Sequence, residues 1–291
     1  MSEVGKILVV GMNRSGTKWI SNILCNHPDV IGIQSARGGG IQETNMFGVM
    51  QKKFPDLTFV TDYIGLVELW SATDFFKISG IEKEFCYRLK PRPTNCLNMF
   101  SVLMSEYARR KGKRFWLQKA DPQDGRRALE HFPDARCVII RRDFSGVLTS
   151  VVKLWERSGR KRKLLNACFL FALQEKTLDA IIAHREVCVC KYEDLKRNPR
   201  EEVHRVCSAL GLHFHSSMLD VPFSKNTSFS SDAERVGVIS HREWLTAYAI
   251  LYICRALPRV FLQLIWQFRA ARRSYISPGT FGSIKDNYDV T

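Results

Sequence analysis

The 291-residue chain is short of carboxylates: 29 Asp and Glu stand against 44 Lys and Arg, a formal net charge of +15. It also lacks the uncharged apolar run of about 20 residues that a spanning helix needs. The longest apolar stretch, residues 245–268, is interrupted by Arg255, Pro258 and Arg259. Such a stretch can still lie on a membrane. No signal core is expected, because residues 1–6 lead straight into a short apolar run at 7–10 that ends at Gly11. The nine cysteines are odd in number and form no CxxC pair, which argues against a disulfide framework or a zinc site. A chain this long buries a core without staples. Reduced thiols and a cytoplasmic location are therefore expected, with the inner face of a membrane as a second possibility for so basic a chain. At 45% hydrophobic and 25% charged residues, the composition excludes disordered and collagen-like classes. The positive excess calls for nucleic acid, anionic lipid or a small polyanionic ligand.

Short apolar runs at 6–11, 115–118, 137–140 and 187–190 alternate with helical spacing at 16–24, 94–110, 122–131, 145–155, 163–184 and 200–210. This is the pattern of an α/β fold, a central parallel sheet flanked by helices. Asn198-Pro199 before Arg200, Glu201 and Glu202 predicts a helix start with Asn198 as cap, and Gly211 ends that helix. Residues 36–92 are less regular, with Gly38, Gly39 and Gly40 in a row and several aromatics, and read as an acceptor-side insertion. Residues 221–231, rich in Ser and Asn, read as a mobile loop. The simplest division is an α/β domain over 1–240 and a helical appendage over 241–291.

After the first strand, Gly11-Met12-Asn13-Arg14-Ser15-Gly16-Thr17-Lys18-Trp19 forms a polar turn that opens a helix. Such a turn aims backbone N–H groups and the positive helix end at one point, where an anion would sit. Gly11 and Gly16 have the Walker A separation, but Thr17 stands where Lys belongs and Lys18 where the magnesium-binding hydroxyl belongs. An ordinary magnesium-dependent nucleotide hydrolase loses ground. GxGxxG is missing as well, which removes support for a dinucleotide fold.

The loop resembles the 5′-phosphosulfate-binding loop of sulfotransferases, written PKSGTTW or, in another branch, PRSGTT. Here Asn13 replaces Pro and Lys18 the second Thr. The resemblance continues in order along the chain. Lys119 and then Phe132-Pro133-Asp134-Ala135 match the run before the family's second motif, Arg142 and Ser150 have that motif's spacing, and Tyr192-Glu193-Asp194-Leu195 resembles its YEDL element. Asp143 is expected to cap the helix between them.

The resemblance implies a P-loop-like fold and a donor, 3′-phosphoadenosine 5′-phosphosulfate (PAPS), with no metal. Arg14, Ser15, Gly16, Thr17, Lys18 and Trp19 would hold the 5′ end of the donor, and Arg142 and Ser150 its 3′-phosphate. Lys225 or Arg235 would come from a late basic loop. Arg14 can stabilise developing charge but hardly donates a proton, which leaves Lys119 as the cation beside the leaving group. For the general base, Gln42-Glu43-Thr44-Asn45-Met46-Phe47 resembles the KE-x-x-x-F element of glycan-directed members. Glu43 is the first candidate, although it could be only a solvated loop carboxylate; Asp121 is the second. The implied acceptor is a hydroxyl, on a carbohydrate or glycolipid by the Glu43 pattern, and the aromatics of 36–92 would suit stacking on sugar rings. His27 reads as a helix-ending turn. On this reading part of the charge meets a nucleotide and not a nucleic acid. Two other readings stay open: a P-loop small-molecule kinase, and a non-catalytic anion-binding module on a membrane surface, with residues 244–275 as an interfacial helix or as core-packing helices.

Overall fold

The chain is described by a computed structural model covering residues 3–35, 39–159, 161, 163–220, 239–265 and 267. Residues 6–11 are all buried, so β1 (Gly5–Gly11) must be covered on both faces, as a middle strand of a parallel sheet is. Lys6 tolerates this place because its Nζ pairs with Asp134 at 2.6 Å. The other strands are β2 (Val30–Ile31), β3 (Gln34–Ser35), β4 (Gly40–Ile41), β5 (Phe115–Ala120), β6 (Arg136–Arg141) and β7 (Cys188–Lys191). Five of them form one parallel sheet in the order β2-β5-β1-β6-β7, and β3 and β4 make a separate antiparallel hairpin. The chain leaves β1 to one side and later crosses to the other. The carboxyl end of β1 is therefore a topological switch point, where open α/β sheets take their ligands.

The helices are α1 (Thr17–Leu24), α2 (Val49–Lys53), α3 (Val60–Ser71), α4 (Asp74–Ser79), α5 (Lys83–Tyr87) and α6 (Cys96–Arg110). They continue with α7 (Pro122–His131), α8 (Phe144–Arg157), α9 (Leu164–His184), α10 (Tyr192–Arg197), α11 (Pro199–Ala209) and α12 (His241–Ala256). Two compact units result: Met1–Arg142 with Arg185–Phe229, which holds the sheet, and Asp143–His184 with Ser230–Thr291, which holds α8, α9 and α12. In the second unit, α12 packs on α9. Cys168 Sγ donates to the Ala247 carbonyl at 3.3 Å, and Arg255 grips Glu175 with two nitrogens at 2.7 and 2.8 Å. A capping box between Ser240 and Glu243 starts α12.

In the first unit Ile7, Val9, Ile20, Ile23, Leu117 and Ile140 form part of the core against one face of the sheet. Each such side chain contributes about 1.5–3 kcal/mol on full burial. Eight of the nine cysteines are buried and all nine are free thiols. Burial pushes Cys86, Cys96 and Cys137 up to about 12, so these thiols stay protonated.

Three expectations need correction. Residues 36–92 are not mainly irregular: they carry part of the β3–β4 hairpin and α2 to α5. Their aromatics are largely core, not a sugar platform. Phe47, Trp70, Phe75 and Phe76 are buried, with Trp70 5.3 Å from Phe76 and Phe47 4.8 Å from Phe100, edge to face. Last, Asn198 and Asp143 do stand at N-cap positions, but neither side chain makes a capping hydrogen bond. The Asn198 amide instead donates to Glu201, at 3.3 Å, and Pro199 needs no partner because it has no N–H. Gly211 ends the α11 segment with φ at +60°, a conformation glycine adopts without steric cost.

Candidate functional site

The turn after β1 is built from backbone. The Ser15 N–H and Oγ both donate to the Met12 carbonyl, at 3.1 and 2.7 Å, so the side chain of Ser15 is fully buried as a brace. Arg14 takes a left-handed φ of +69°, which costs roughly 1–2 kcal/mol for a residue with a Cβ. Arg142, at the end of β6, offsets that cost. Its Nη1 donates to the Arg14 carbonyl at 2.9 Å, and a hydrogen bond from a charged donor contributes about 1.5–3 kcal/mol.

Arg142 is held in turn by an aromatic ring, its guanidinium 4.1 Å from the centroid of Tyr192. Trp19 braces the same ring edge-on at 5.7 Å. Gly16 caps α1 at φ +97°, and a Cβ there would come within 2.7 Å of the Tyr192 ring. Loop, strand end and the first residue of α10 thus interlock around a glycine that has no room for a side chain. No side chain caps α1 and no acid lies in its first turn, so its leading N–H groups and positive end meet no competing carboxylate from the helix itself.

The neighbouring strand supplies the second half of the site. Lys119 stands in β5 in register with Val9. Its side chain is only 6% exposed, and its Nζ pairs with Glu43 Oε1 at 2.5 Å. Glu43 arrives from the segment after the hairpin, which is anchored on both sides. Asn22 of α1 accepts from the Ile41 N–H at 2.8 Å and donates to the Gly39 carbonyl at 3.1 Å. Buried Gln118 donates to the Gln42 carbonyl at 3.1 Å, and Thr44 Oγ1 accepts from the Met46 N–H at 3.2 Å.

Lys119, and secondarily Lys18, hold Glu43 below the usual carboxylate range. Burial and then the charge of Lys119, with a smaller effect from Arg14, lower Lys18, while Glu43 opposes them. Lys18 thus feels both Lys119 and Arg14, and Glu43 is the carboxylate that Lys119 and Lys18 share; such an excess of cations favours an anionic ligand.

Asp121, the second base candidate, is the cap of α7 and accepts from the Asp124 N–H at 2.9 Å. Burial first, and the carboxylate of Asp124 second, raise its pKa. Thr17 opens α1, its methyl packed where a Cβ on Gly11 would fall. Ser150 lies on α8, in the second unit, and is buried. Lys225 and Arg235 lie outside the described residues. Sequence reasoning missed the supporting parts: Asn22, Gln118 and the platform role of Tyr192. Tyr192 was marked by its YEDL context, whereas Asn22 and Gln118 carry no local signal, since each acts on a segment far along the chain.

A model of the sulfotransferase family matches residues 6–216. Among solved structures, a sulfotransferase domain from the curacin biosynthetic pathway is 15% identical, with a TM-score of 0.52 over 82% of this chain and 84% of that one. The sulfotransferase STF1 from Mycobacterium tuberculosis H37Rv is 14% identical, with a TM-score of 0.51 over 88% and 77%. At such identities the structures speak for the fold alone. No curated protein sequence matches the chain. The matched span starts in β1 and runs past α11, taking in the loop, the Lys119–Glu43 pair and the Arg142 clamp, and on that match the chain belongs to the sulfotransferase family, as an enzyme.

Proposed function

We propose that the enzyme moves a sulfuryl group from PAPS, the donor its family implies, to a hydroxyl of a carbohydrate or glycolipid. The observation that carries this reading is the Lys119–Glu43 ion pair beside the anion-binding turn, because it sets a proton acceptor and a cation at the same strand end. Glu43 takes the acceptor's hydroxyl proton. The acceptor oxygen then bonds to sulfur as the bond from sulfur to the bridging oxygen breaks in line, and 3′-phosphoadenosine 5′-phosphate leaves. Lys119 and Arg14 stabilise the charge that develops on the bridging oxygen. The N–H groups at the start of α1, with Thr17 and Lys18, hold the 5′-phosphate, and Lys18 supplies by charge what a hydroxyl would supply by hydrogen bonding.

Arg142 has two duties in this reading. It meets the 3′-phosphate, with Ser150 as its partner by spacing, and it keeps the Arg14 turn in shape. The carbohydrate or glycolipid acceptor rests on the Glu43 pattern, and the buried aromatics of α3 and α4 lend it no support. The test is transfer of labelled sulfate from PAPS to a panel of hydroxyl acceptors by wild type and Glu43→Gln. The variant is expected to keep donor affinity and to lose about 10²–10⁴ in kcat. An unchanged kcat would remove Glu43 as the base.

A further inference from the structure

Helix α12 is apolar on both sides. Ala247, Leu251 and Cys254 are buried and form the stripe toward α9. About half a turn away, Leu245, Tyr252 and Ile253 are 61%, 79% and 62% exposed. A helix that is apolar all round is expected to be covered all round. The pattern continues past Pro258. The helical segment Arg259–Ile265 bends from α12 by 113°, buries Leu262 completely and exposes Val260, Phe261 and Leu264. Neither helix is long and apolar enough to cross a membrane by itself.

We infer that this outward face of α12 and the segment 259–265 is a seat for an anionic lipid surface, lying in the interface and not spanning it. Charge selects the occupant. The described residues 241–265 hold three arginines, Arg242, Arg255 and Arg259, and one carboxylate, Glu243, and Glu243 is engaged in the capping box of α12. Among those described arginines, Arg255 is paired with Glu175. A second copy would bring another +15 chain against this face, whereas an anionic leaflet brings the opposite sign. Exposed Tyr and Phe among arginines is the composition of a helix lying in the headgroup region. The inference does not rest on the chemistry assigned to Glu43 or Lys119.

The experiment is co-sedimentation of the full chain, without donor or acceptor, with vesicles of phosphatidylcholine alone or mixed with phosphatidylserine. The probe variant is Tyr252→Asp/Phe261→Asp, two exposed positions, with its melting temperature and circular dichroism checked against wild type. Wild type is expected to bind the mixed vesicles at least about tenfold more tightly than the neutral ones, less so at high salt, and the variant to lose most of that binding with its fold unchanged. Three results would overturn the inference: no pelleting of wild type, equal binding to both vesicles, or equal pelleting of wild type and variant. A lipid-free dimer that the same double variant dissociates would assign the face to a second copy.

Discussion

The turn at the end of β1 and the carboxyl end of β5 are both cationic, yet they are held by different means. The turn is fixed by two positive φ angles, at Arg14 and Gly16, and by side chains that bond to its backbone: the Ser15 brace and the Arg142 bond to the Arg14 carbonyl. The end of β5 depends on a salt bridge between residues 76 positions apart, Glu43 and Lys119, and so it responds to protons and to competing anions. In the function proposed above, one region recognises a phosphate group and the other moves a proton. Under that proposal, separating the two tasks lets the turn stay rigid while Glu43 and Lys119 exchange a proton with the acceptor and the leaving group.

The largest effect should follow from breaking the rigid half. Gly16→Ala adds a Cβ at φ +97° within 2.7 Å of Tyr192. It is expected to lower stability by at least about 2 kcal/mol and kcat/KM for the donor more than about a hundredfold. Thermal unfolding and steady-state kinetics check both, and a variant with wild-type kinetics would show that the turn is not rigid.

Next is the titratable half. Lys119→Met removes the main cause of the low Glu43 pKa, so the acid limb of the pH profile of kcat/KM is expected to move to higher pH. The rate should also fall about 10²–10³-fold through loss of charge stabilisation. A rate loss with no movement of that limb would separate Lys119 from the proton chemistry.

The smallest effect tells titration at the site from titration elsewhere. His27 is buried, with Nδ1 accepting from the Asp29 N–H at 3.0 Å and Nε2 against the His213 carbonyl at 2.8 Å, so its ring is held neutral with the proton on Nε2. Burial lowers its pKa in the folded state, and the unfolded chain therefore binds more protons as pH falls through the ordinary histidine range. Stability is thus full above the unfolded value and declines from there toward the lowered folded one. His27→Gln should flatten this part of the stability curve measured by denaturant unfolding, and leave the acid limb of catalysis where it was.

Most of the sheet was legible because buried parallel strands are short apolar runs, and the anion turn because its glycines and polar residues follow one another along the chain. The structure extends β5 to Ala120 and β6 to Arg141, beyond the apolar runs, since strand pairing continues where hydrophobicity stops. Helices α2, α4 and α5 were hidden. They span five or six residues each, too short for a period to show, and side chains such as Phe75 and Phe76 hold them by tertiary packing. A local signal existed for α4 in Thr73, which caps it by accepting from the Phe76 N–H. Of the site, Arg14, Lys119 and Glu43 could be named from sequence patterns. That Glu43 pairs with Lys119, or that Asn22 ties down the segment before it, depends on contacts between distant positions with no periodicity to betray them.

The left-handed Arg14 sets two physical demands against each other. The backbone at that position favours glycine, whereas the anionic donor proposed above favours arginine. Arg14→Gly would ease that backbone angle and, in the function proposed above, remove the cation that stabilises the bridging oxygen.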